Sequence, residues 1–141
     1  MQTGMLHLHS LLRWIILLLL LVGLFQALSK KASVKSTSLW LLISAHTMLL
    51  IGLYQLIAGR YGMIHGLPAG ISLMKDTFYR FFWVEHPLMM IISIVLITIA
   101  RGKAKALNYK AVTWLFLIAL IIILAAVPWP FRDIIGKDRV W

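Results

Sequence analysis

The sequence predicts an all-α protein: a four-helix transmembrane bundle with up-down-up-down topology and both termini outside the cytoplasm. Three observations predict it. Hydrophobic residues make up 62% of the 141 positions, too many for a water-facing coat. Four apolar runs each approach the roughly 20 residues that cross a bilayer as a helix. The cations sit at the ends of those runs instead of forming a basic face, so the net charge of +10 reads as a topology signal and not as a nucleic-acid footprint. The spans fall at about 7–28, 39–59, 82–100 and 111–127, with a loop at 60–81 and a tail at 128–141. Together they form one membrane domain.

The first run, Leu11 to Leu28, follows an uncharged stretch and is long for a signal-peptide core, so it is expected to be a retained span. Its opening carries His7 and His9, which point about 200° apart on a helix. Only one can face the bundle. His9 shares a face with Arg13 at i, i+4 and is therefore the inward choice. Lys30, Lys31 and Lys35 lie in a polar turn before the second run, which contains His46 eighth in its span, roughly 11 Å from the inner end. A neutral histidine bonded within the bundle is the expected state there.

Between Arg60 and Arg80, glycines and Pro68 interrupt an apolar loop that is expected to fold over the bundle end. The third span needs Phe81 to Glu85 to reach membrane length, because only fourteen non-ionisable residues run from Pro87 to Ala100. Glu85 and His86 therefore enter the apolar zone unless Pro87 opens the helix and Glu85 caps it in the wet interface. Span four ends before Pro128 and Pro130, which lack the backbone donor a helix needs. The two short connections between spans hold seven of the fourteen basic residues and no acid, while Asp76, Glu85, Asp133 and Asp138 all fall on the other side. That asymmetry places the short connections in the cytoplasm.

In such a bundle the first and third spans lie diagonally opposed, and their outer ends both carry a histidine. His9 and His86 at one level suit bis-imidazole ligation of a single b-type haem, with Arg13 and Arg132 available to neutralise its propionates. His46 lies too deep to join them, so one haem is the maximum. An Arg13–Glu85 ion pair needing no cofactor is the alternative, and it makes Glu85 matter more to stability than Asp76. Methionines beside the histidines (Met5, Met48, Met89, Met90) raise copper(I) as another ligand. Absence of cysteine excludes disulfides, iron–sulfur ligation and covalent haem attachment. No hydrolytic or phosphate-binding pattern occurs, so an electron carrier is expected rather than an independent catalyst.

Thr3-Gly4-Met5-Leu6-His7-Leu8-His9-Ser10-Leu11-Leu12-Arg13-Trp14, Ala45-His46 with Leu49-Leu50-Ile51-Gly52-Leu53-Tyr54, Phe82-Trp83-Val84-Glu85-His86-Pro87-Leu88-Met89-Met90 and Pro128-Trp129-Pro130-Phe131 resemble a family of small four-span bacterial membrane proteins labelled cytochrome b-like. The likeness runs nearly end to end, although Met48 stands where that family commonly has glutamine. It implies a bacterial inner-membrane protein tied to respiration, with both termini, loop 60–81 and tail 128–141 periplasmic. The expected function is electron transfer by a b-type haem at the periplasmic side, alongside a respiratory complex. The alternative is a cofactor-free accessory subunit of a larger membrane complex. A quinol near Glu85 is a further candidate partner.

Overall fold

The computed structural model describes residues 2–59 and 62–127. All regular structure among them is helical. Four long helices span Gln2–Leu28, Val34–Ala58, Thr77–Lys105 and Tyr109–Ala126, each long and apolar enough to cross a bilayer. They form a ring in which the first packs on the second and fourth, and the third packs on the same two. The first and third are thus diagonally opposed. Fully buried Leu20, Leu41, Ile97 and Phe116 fill the centre, and Ala100, Ala104, Ala119 and Ala126 are also buried. Small residues let helix backbones approach where lipid supplies no hydrophobic drive between helices. Gly23 serves the same end, since a Cβ there would lie 2.6 Å from the Phe116 ring. Leu11, Leu18, Phe25, Leu50, Trp114 and Ile121 are exposed on the outside, as a lipid-facing surface requires.

The two short connections are built alike. Lys30 and Leu107 both take left-handed backbone conformations, φ 54° and 55°. In each turn the next amide reaches five residues back, Lys31 to the Gln26 carbonyl and Asn108 to the Lys103 carbonyl. This is the Schellman closure of a helix C-terminus. Asn108 then caps the fourth helix by accepting from the Ala111 amide. At the same end, Arg101 Nη1 donates to the Lys35 carbonyl at 2.9 Å and to Ser38 Oγ at 3.3 Å, tying the third helix to the second.

The opposite end departs from the sequence expectation. The third helix starts at Thr77, inside the stretch expected to be loop, because Asp76 accepts from the Phe78 and Tyr79 amides and caps it. From Phe81 to Glu85 it widens into a π-turn, closed by the His86 amide on the Phe81 carbonyl. Pro87 follows, and it has no N–H to offer the Trp83 carbonyl, so the ladder cannot continue in plain α register there. In the preceding loop Met63, Ile64 and Met74 are exposed while Leu67, Ile71 and Leu73 are partly buried, and Gly66 and Gly70 take positive φ, which glycine adopts without strain.

Candidate functional site

The starts of the first and third helices meet the ends of the second and fourth around a cavity of about 210 Å³. His9 comes from the first helix and His86 from the third, with ring centroids 6.3 Å apart and planes tilted by 50°. His86 Nδ1 lies 2.8 Å from the Ala126 carbonyl at the end of the fourth helix. A carbonyl only accepts, so Nδ1 donates and the neutral ring presents Nε2 as its free lone pair. Phe81 and Phe82 rings flank His86 at 5.8 and 6.5 Å, fixing its other edges. The carbonyl is available because a helix leaves its last carbonyls unbonded, and this helix ends at Ala126 with Val127 extended.

His9 faces the second helix at Gly52, where a Cβ would stand 3.9 Å from Nε2. Arg13, only 6% exposed, lines the cavity one turn farther into the bundle than His9 and lies 5.3 Å from the Trp14 ring. Ser10, Tyr54, Gln55 and Ser93 add polar groups, and most of the rest of the wall is apolar, including Leu49, Leu53 and Ile94. A concave, mostly apolar pocket with a few convergent polar groups is the usual form of a cofactor site.

His7 is exposed, one position off the cavity face. His46 is exposed too, with Nδ1 2.9 Å from its own Leu42 carbonyl, and does not line this cavity. Arg132 lies outside the described residues. The Arg13–Glu85 pair is replaced by a different one: Glu85 Oε1 sits 3.6 Å from Arg80 Nε, both side chains half exposed. Residues five apart are about 140° apart on an α-helix, but the π-turn has i→i+5 closure and brings them to one face. Sequence reading missed the Ala126 carbonyl, although Pro128 and Pro130 mark the helix end that leaves it unbonded.

Met5, Met48 and Met90 line the same cavity as the two histidines, while Met89 does not. Among the described residues, no group of three or more His, Cys, Asp or Glu converges as a metal site, and the imidazoles that line this cavity are His9 and His86. Comparison with protein-family models, with curated proteins and with solved structures finds no match to this chain.

Proposed function

We propose that the chain is a small b-type haem protein that passes electrons at one end of its membrane bundle, in which His9 and His86 would hold the iron. The observation that carries this is the imidazole pair. Two histidines that would hold one haem iron must come from facing helices at one level, and here the two rings stand 6.3 Å apart in one cavity. Haem iron, when bound, supplies reversible one-electron chemistry. The chain's residues do the rest. The Ala126 carbonyl holds His86 in the tautomer whose Nε2 can ligate and raises the basicity of that nitrogen. Gly52 leaves space beside His9, and the apolar wall limits water at the metal. Arg13 supplies positive charge for an acidic substituent within the cavity. Under the topology expected from the charges, this end lies outside the cytoplasm; the family resemblance implies that it is the periplasmic side of a bacterial inner membrane, beside a larger respiratory complex.

The methionine lining favours a second reading, copper(I) held by thioethers and imidazoles. Reduced-minus-oxidised spectra of protein expressed with ample haem separate the two. A low-spin bis-histidine spectrum is expected. It is lost in His9→Ala and in His86→Ala, and kept in His7→Ala and His46→Ala. No haem spectrum but stoichiometric copper, lost in Met48→Leu, transfers the site to copper. Neither ligand leaves a cofactor-free accessory subunit.

A further inference from the structure

A second concavity, about 290 Å³, opens on the lipid-facing side between the second and third helices around His46. His46 stands twelve residues, about 18 Å, from either end of the second helix, within its apolar run, where a bilayer core offers little water. Its Nδ1 donates to the Leu42 carbonyl at 2.9 Å, and in the tautomer that bond selects Nε2 is the ring's acceptor in the groove. Across the groove, Thr98 Oγ1 spends its proton on the Ile94 carbonyl at 2.7 Å and presents lone pairs as well. The other lining side chains are aliphatic. The groove therefore offers two acceptors and no donor, in a region where an unsatisfied polar group is costly.

From this we infer that the groove binds a lipid-soluble aromatic alcohol of the quinol class, with its hydroxyl donating to His46 Nε2. The donor–acceptor count selects the hydroxyl form, since a quinone carries acceptors only. The walls select a flat ring over another helix. Membrane helices dock through small residues that admit a backbone, whereas Leu49, Ile91, Ile94 and Val95 are all bulky. Leu49, Ile91 and Ile94 also line the His9–His86 cavity, so a bound ring lies one side-chain layer from it. This site stands independently of what the inner cavity holds.

The test uses the full chain in nanodiscs at one copy per disc, with ¹⁵N-labelled histidine. The probes are 4-decylphenol and its methyl ether 4-decylanisole, which differ in the donor and are both redox-inert. The phenol is expected to move the His46 Nε2 resonance saturably in the direction of an accepted hydrogen bond, and the ether is not. His46→Phe is expected to weaken phenol binding about tenfold, the scale of one hydrogen bond lost in a dry site, while His65→Phe leaves it unchanged. Equal shifts with both probes mean apolar partitioning only and overturn the proposal, as does no shift with either. A resonance already hydrogen-bonded without probe, and changing when two copies share a disc, assigns the groove to a second chain instead. A phenol shift without any haem spectrum would end the function proposed above and leave this site in place.

Discussion

Asp76 and Glu85 exchange importance once the third helix is seen to begin at Thr77. Asp76 holds two amides of the first turn, and removing such a cap costs about 0.5–2 kcal/mol. Glu85 meets Arg80 at 3.6 Å with both side chains half exposed, a pairing worth about 0–1 kcal/mol. Asp76→Ala is therefore expected to lower the thermal midpoint in detergent more than Glu85→Gln, the reverse of the ranking expected from sequence. A larger loss for Glu85→Gln would mean that the helix start or the Arg80 pair is misplaced. Two glycines separate fold from site in the same way. Gly23→Ala drives a methyl into Phe116 and should destabilise by about 1–3 kcal/mol, as overpacking does. Gly52 has only His9 Nε2 nearby, so Gly52→Leu is expected to keep the melting midpoint within a few degrees while eliminating the ligand spectrum. Levels along a helix are legible from residue counting, and this is why the His9 and His86 positions could be read. Side-chain partners depend on helical phase, and one π-turn is enough to send Glu85 elsewhere.

That turn also shows what hydropathy reads poorly in whole elements. Apolar runs find the middle of each helix, but the helices continue past them: the second starts at Val34, within the polar Lys30 to Ser38 stretch, and the third runs on to Lys105. Polar residues at a helix end cost nothing in water, so composition is silent on where hydrogen bonding stops. Capping is the better signal. The Asp76 cap and the Asn108 cap are both visible as turn-forming residues ahead of apolar stretches. The two Schellman turns are not, because the left-handed positions hold Lys30 and Leu107 in place of glycine. A non-glycine residue at positive φ carries a penalty of about 1 kcal/mol or more, offset in part by the extra freedom glycine brings to the unfolded chain. Leu107→Gly is therefore expected to stabilise the protein by about 0.5–1 kcal/mol, read as a rise in thermal midpoint. A fall would show that the Leu107 side chain contributes packing that outweighs its backbone strain.

For the molecule as a whole, the ring of four helices makes sidedness a single decision. The turns at 29–33 and 106–108 share one end, since the Arg101 bonds to Lys35 and Ser38 join the helices just beside them. The histidine pair and the loop before Asp76 share the other, because His9, Gly52, His86 and Ala126 meet there. Lys30, Lys31, Lys35, Arg101, Lys103, Lys105 and Lys110 all belong to the turn end, with no acid among them. Short basic connections are retained in the cytoplasm, so the imidazole cavity should open on the opposite side. The chain has no cysteine, which makes single introduced thiols clean reporters. In intact cells, Ser72→Cys is expected to react with a membrane-impermeant maleimide, while Lys30→Cys and Lys103→Cys react only after permeabilisation. Because the helices are coupled, the three sites must agree. Lys30 and Lys103 labelling first, with Ser72 protected, would invert the bundle and move the proposed electron transfer to the cytoplasmic face. Lys30 and Lys103 on different sides would contradict the ring itself, since no antiparallel packing of these four helices separates their two short turns.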